Sequence, residues 1–361
     1  MQYSLKVFLT TIFLLSLIAI KSASAFLSNT ALPIVTNKNG IILHHGRCHF
    51  LKLQGAQDEF QGEVEVSRTY GGGENGSGTV RTFHNIRYHI HNRMNLSSQQ
   101  GAPILVLHGG PGLPSDYLLP LRDVIPYRSI VFYDQLGCGR SPGPETSEAY
   151  SIESSLDDLE VVIKKIGLTR FHLYGQSYGG ILAFEYMKRV AEKGSNDDES
   201  GASECLSAIL SSAPSNVDQM EAAWDDLTAN LLEEDPDEST IMDRFLAKHA
   251  CREIATKGKK PQPLADVYEK AGQPGVCCGT DSIKGWSAAK PLESSQRMPS
   301  CMAMRGEHDF VTADCVEGRK PAFNHNFVRV KKLEKSSHHG LLGEGKTYGE
   351  IVLSFFFGYD S

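Results

Sequence analysis

Phe171-His-Leu-Tyr-Gly-Gln-Ser-Tyr-Gly-Gly180 decides how this chain reads. An apolar, β-type run over residues 171–174 enters Gly175-Gln-Ser-Tyr-Gly179, and a helical pattern over residues 181–190 leaves it. A strand, a GxSxG turn and a helix in that order form a nucleophile elbow. The turn is tight enough to predict a strained backbone at Ser177. Gly175 and Gly179 lack the Cβ atoms that would collide where strand meets helix. Such a turn lifts the Ser177 hydroxyl above the sheet and points the helix N-terminus at whatever Ser177 attacks. GxSxG alone is weak evidence, and an ordinary glycine-rich turn would also carry it. The strand before it and the helix after it give it weight.

Outward from the elbow, short apolar runs alternate with helical patterns. Residues 103–107 and 129–133 read as strands buried on both faces. Ser151 can cap a helix whose apolar positions are Ile152, Leu156, Leu159, Ile163 and Ile166, and Gly167 stops it. Residues 206–212, 301–305 and 327–330 read as further strands, and residues 348–357 as a closing helix. Upstream, residues 63–70 and 81–91 suggest a hairpin around the glycine-rich residues 71–78. In its second strand Ile86, Tyr88 and Ile90 share the buried face, leaving His89 and His91 to solvent. Strands alternating with helices predict an α/β fold with a mostly parallel sheet covered on both faces.

The pattern breaks over residues 214–297. Helices are expected at 217–232 and 240–256, then irregular Gly-, Pro- and Cys-rich chain. This is read as an inserted, mainly helical cap between two parts of the core, residues 58–213 and 298–361.

The chain has 361 residues, 40% hydrophobic and 22% charged, which allows a large core. A net charge of −7 gives no sign of a nucleic-acid partner. Residues 1–25 read as a signal peptide: Lys6, an apolar run over 7–20, and the small-residue site Ala23-Ser-Ala25. That run is too short for stable membrane insertion. Acidic residues are missing until Asp58, while Lys38, Arg47 and Lys52 are basic, so residues 26–57 suit a transit-like or disordered presequence. The Ala25-Phe26 junction resembles that of two-part plastid presequences in diatoms and related algae, which favours a plastid of such an alga over simple secretion. The sequons at Asn75 and Asn95 fit a secretory route. Eight cysteines without a CxxC make buried free thiols the expectation; a disulfide among Cys251, Cys277 and Cys278 is the alternative.

Serine needs a base to take its proton, an imidazole suits neutral pH, and a carboxylate must orient that imidazole. Functional groups of an open parallel sheet gather at the carboxyl ends of its strands. Polar loops follow strand ends at His108-Gly-Gly-Pro-Gly112, Ser177, Gly306-Glu-His-Asp309 and Ser336-Ser-His-His339. The order Ser…Asp…His is that of α/β-hydrolases. Asp309 is the favoured acid, with Glu307 as substitute; His338 is the favoured base, with His339 as competitor. The Tyr178 and Gly110 amides are the expected oxyanion donors.

Leu107-His-Gly-Gly-Pro-Gly112, Tyr133-Asp-Gln-Leu-Gly-Cys-Gly-Arg-Ser141 and Gly175-Gln-Ser-Tyr-Gly-Gly180 together resemble the proline iminopeptidase family of serine peptidases (family S33), an α/β-hydrolase branch. Phe245-Leu-Ala-Lys-His-Ala-Cys-Arg252 and the stretch from Val267-Tyr268 through Ile283-Lys-Gly-Trp286 resemble cap segments of the tricorn-interacting-factor type. The resemblance implies Ser177 as nucleophile, Asp309 as acid and His338 as base. It implies release of an N-terminal residue, often proline, from short peptides, with no cofactor or metal. One departure stands out. The family places a glutamate for the substrate's free amine in a Gly-Pro-Asn-Glu-Phe-like stretch, where this chain has Gly272-Gln-Pro-Gly-Val276. Asp237, Glu238 or Glu269 could substitute, since a desolvated ammonium needs a carboxylate. An esterase or amidase on the same scaffold is the next reading, and a non-catalytic ligand receptor a third.

Overall fold

A computed structural model of the chain describes residues 59–71, 79–93, 101–193, 203–270, 283–288, 298–318 and 327–360. The expected signal peptide and presequence, both sequons, the expected hairpin turn, Cys277, Cys278 and the 272–276 stretch lie outside the described residues.

Eight strands form one sheet: β1 (Glu59–Gly71), β2 (Thr79–His91), β3 (Ile104–Leu107), β4 (Ile130–Tyr133), β5 (Arg170–Gln176), β6 (Glu204–Ser211), β7 (Ser300–Gly306) and β8 (Phe327–Leu333). Their order is β1-β2-β4-β3-β5-β6-β7-β8. The β1–β2 and β2–β4 pairs are antiparallel and all others parallel. This is the α/β-hydrolase fold. The order reverses around β3, so the loops leaving β3 and β5 diverge and open a crevice at the carboxyl edge.

The apolar runs are continuous because both faces are covered. Leu105, Leu107, Val131, Leu173, Ala208 and Ala303 join one core with the helices Ile152–Ile166 and Tyr178–Lys193. Their neighbours Ile104, Val106, Ile130, Tyr174, Ile209 and Met302 point the other way, onto the closing helix Gly345–Phe357. Ser151 and Ser154 form a reciprocal capping box, and Gly167 ends that helix at φ 78°.

The hairpin forms as expected, and Ile86, Tyr88 and Ile90 are buried. The solvent-facing histidines do not. His91 is 2% exposed, and the half-buried His89 stacks on Phe132 at 4.9 Å. The end of β2 pairs with β4 inside the sheet, where neither face is free, so alternation no longer separates core from solvent.

Between β6 and β7 lies the cap. Asn216 caps its first helix, Val217–Glu234, by accepting the Gln219 amide at 2.8 Å. The single helix expected at 240–256 is broken instead. A 3-10 turn Glu238–Thr240 leads to a helix Ile241–Phe245, a π turn Leu246–Ala250 and, past extended Cys251, a short helix Glu253–Lys257. A further helix, Gln262–Lys270, forms where irregular chain was expected. It carries Leu264 and Val267 into the core that holds Tyr117 and Leu118. Among the described residues, no helix is long and apolar enough to cross a membrane.

Candidate active site

The elbow is built as its sequence demands. Ser177 sits at φ 53°, in the left-handed region that non-glycine residues avoid. Its amide donates to Ser211 O at 2.8 Å, so the β5–β6 ladder runs up to the turn. A Cβ on Gly179 would run into the Leu107 and His108 carbonyls, and one on Gly175 into the Gly179 carbonyl. The helix then starts at Tyr178.

The loop after β3 is held by the loop after β4. His108 Nδ1 donates to Gly109 O at 2.9 Å, leaving Nε2 to accept the Gln135 amide at 2.8 Å. The Gln135 side chain returns a bond to His108 O at 2.8 Å. Asp134 accepts from the Ser115 amide and hydroxyl on one oxygen, and from the Arg140 amide and Nε on the other. Burial alone would raise its pKa, but Arg140, His108 and the Ser115 amide hold it below the usual range. The HGGPG and DQLGCGRS motifs thus form one interlocked unit. Gly110 lies within it at φ 121°, and its peptide bond to Pro111 is cis.

The expected acid and base meet across two loops. His338 Nδ1 donates to Asp309 Oδ1 at 2.9 Å, and the same oxygen accepts the Val311 amide at 2.9 Å. Both side chains are buried. Nε2 of His338 is left as the acceptor. The ring stacks on Phe310 at 4.1 Å, which fixes its plane. Among the described residues, no hydrogen bond joins Ser177 Oγ to this ring; contacts of this kind commonly tighten only with substrate. The elbow is nonetheless tied to the His338 loop, because Gln176 Nε2 donates to His338 O at 3.4 Å. Gln176 Oε1 accepts from Tyr117 OH at 2.5 Å, and that oxygen accepts the Gly109 amide at 2.7 Å. Gln176 therefore links the loops of Gly110, Ser177 and His338.

The competitors stand elsewhere. His339 is buried edge-on to Tyr117, and burial together with His338 drives its pKa well below the ordinary value. Glu307 is exposed and paired with Lys332 at 2.7 Å. Asp237 and Glu238 lie on an exposed turn of the cap. Glu269 falls in the last turn of Gln262–Lys270, and its side chain is not among those described. Cys138, Cys205, Cys251, Cys301 and Cys315 are buried and in the reduced thiol form.

Sequence reasoning missed Tyr117, Phe310 and the coupling role of Gln176. Gln176 sits inside the motif and could have been considered. Tyr117 carries no local signal, since only the fold brings it to the elbow.

The helical insertion and the expected base share an aromatic column. Trp224 packs on Phe245 at 3.7 Å and edge-on to Phe310 at 5.1 Å, and Phe310 lies on His338.

The chain is similar to known proteins. Residues 102–252 match the family described as alpha/beta hydrolase fold. A proline iminopeptidase of Saccharolobus solfataricus is 29% identical over 287 residues, covering 70% of this chain and 84% of that protein. One from Thermoplasma volcanium is 27% identical, covering 74% and 92%. The crystal structure of proline iminopeptidase from Mycobacterium smegmatis superposes with a TM-score of 0.62 at 23% identity, covering 82% of this chain and 99% of that one, and so shares the fold.

Proposed function

We propose that this chain, which has the α/β-hydrolase fold and is similar to proline iminopeptidases, releases an N-terminal residue, often proline, from short peptides. Ser177 Oγ attacks the first peptide carbonyl while His338 Nε2 takes its proton. Asp309 holds the ring through Nδ1 and stabilises the cation. The Tyr178 and Gly110 amides receive the oxyanion, each such donor lowering the barrier by about 3 kcal/mol. His338 returns the proton to the leaving amine, and water then repeats the sequence on the acyl-enzyme. The observation that carries this reading is the 2.9 Å Asp309–His338 bond, in a loop tied through Gln176 to a serine held at φ 53°.

One observation favours a second reading, an esterase or amidase. The 272–276 stretch lacks a carboxylate, and Glu238 is exposed rather than enclosed with the triad. Assay of Pro-, Ala- and Leu-arylamides beside short acyl esters separates the two. Arylamide turnover that requires a free α-amine supports the aminopeptidase; ester turnover alone supports the alternative. For location, we propose secretory entry and then plastid import. A mature N-terminus near residue 58 fits that route, and one at Phe26 fits secretion.

A further inference from the structure

We infer that His249, on the cap, is a positioning residue that sets the acid and base loops of the triad against each other; this rests on the reading of Asp309 and His338 given above. The π turn Leu246–Ala250 closes with Cys251 N donating to Leu246 O at 2.8 Å, five residues back. A helix end leaves its last carbonyls without intrahelical partners. Here the His338 loop takes two of them. His338 N donates to His249 O at 3.2 Å, and His339 N donates to Ala250 O at 3.0 Å. Ser337 Oγ accepts the Arg252 amide at 3.2 Å beside them. The backbone of His249 thus holds the base loop.

Its side chain holds the acid loop. His249 Nδ1 lies 2.9 Å from His308 O, the carbonyl whose peptide leads into Asp309. A carbonyl only accepts, so Nδ1 carries a proton and donates. Burial lowers the pKa of this ring and keeps it neutral around pH 7. One residue therefore grips the chain next to the acid with its ring and the base residue with its carbonyl. The ring also packs on Phe245 at 5.2 Å, part of the aromatic group that reaches Phe310 and His338. The cap then has a second task besides covering the crevice: it keeps the Asp309–His338 bond in register. Displacements of about 1 Å in such geometry cost on the order of 100-fold in rate.

The test compares His249→Asn with His249→Gln in the full-length protein, with Ser177→Ala as control. Asparagine places its amide nitrogen where Nδ1 lies; glutamine places it nearer Nε2. The expected result is a kcat reduced about 10- to 100-fold in His249→Gln, with KM within about twofold, and recovery of most of that loss in His249→Asn. The rate of labelling by a fluorophosphonate should follow kcat. Equal rates in the two variants, whether both intact or both impaired, would overturn the inference. Turnover surviving Ser177→Ala would instead sink the triad reading, so the two failures are told apart.

Discussion

At Ser177 the backbone is committed before any substrate arrives, because φ 53° persists only where its surroundings enforce it. Gly179 is one such constraint. A methyl there meets main-chain carbonyls, which cannot swing aside as a flexible side chain can. Gly179→Ala should therefore destabilise the fold by about 3 kcal/mol or more, read as a lowered thermal midpoint or loss of soluble protein. The two adjacent histidines should part company. His338→Gln removes the proposed general base and should cost about 10²- to 10⁴-fold in kcat, whereas His339→Gln should keep that factor. Asp309→Asn should cost about 10⁴-fold with the fold intact, because the ring loses the partner that sets its tautomer. The strand-end positions of Ser177, Asp309 and His338 were legible because each follows an apolar run in the sequence, and the proposal that they act together rests on chemistry collecting at such ends in parallel sheets. The choice between His338 and His339 was not legible, since both sit on one turn and only the reach of Asp309 separates them.

Among the elements, the strands and the elbow helix announced themselves through composition, and the Ser151 cap fixed one helix start. The cap was harder to read. Its broken middle keeps a helical apolar spacing, and the break answers a tertiary demand, the hydrogen bonds that the His338 loop requires. The Gln262–Lys270 helix was hidden by prolines at 261 and 263, which suit a first helical turn as well as a loop. The hairpin was legible, but its anchor was not. Arg68 on β1 meets Asp158 of helix Ile152–Ile166 in a buried pair, NH1 to Oδ1 at 2.7 Å and NH2 to Oδ2 at 2.5 Å. Asp158→Ala would strand the guanidinium and should cost about 3–5 kcal/mol in urea unfolding, while Arg68→Met with Asp158→Leu recovers most of it. An unchanged urea midpoint in Asp158→Ala would contradict this role for the pair.

Over the whole molecule, the chain end clasps the sheet. Asp360 takes two bonds from Arg128 at 2.8 and 2.6 Å, one from the Ala102 amide at 2.9 Å and one from His172 Nε2 at 2.9 Å. It thus joins the segments that lead into β3 and β4 to β5 itself. His172 Nδ1 lies 2.8 Å from the Ser207 hydroxyl, which donates to it when the ring is neutral and Nε2 alone carries the proton. Burial pushes His172 down to about 4, and His89 likewise. Between that value and the ordinary 6.5, the unfolded chain binds protons that the folded chain refuses. Stability should therefore fall as pH drops through this window, by up to about 1.4 kcal/mol per pH unit for each such imidazole. Burial tends to raise Asp360, but Arg128, His172 and the Ala102 amide hold it low, so its contribution is lost at still lower pH. Asp360→Ala should cost about 3 kcal/mol by leaving Arg128 buried and unpaired. A urea midpoint that stays level from pH 7 to pH 4.5 would refute the pH argument.

The most direct test of the triad is to label the protein with a fluorophosphonate, locate the adduct by peptide mass, and follow hydrolysis of arylamides and esters through the same reaction. One adduct per chain, on Ser177, with turnover lost in step, is the expected result. An adduct on another residue, or turnover that survives complete modification of Ser177, would contradict the assignment.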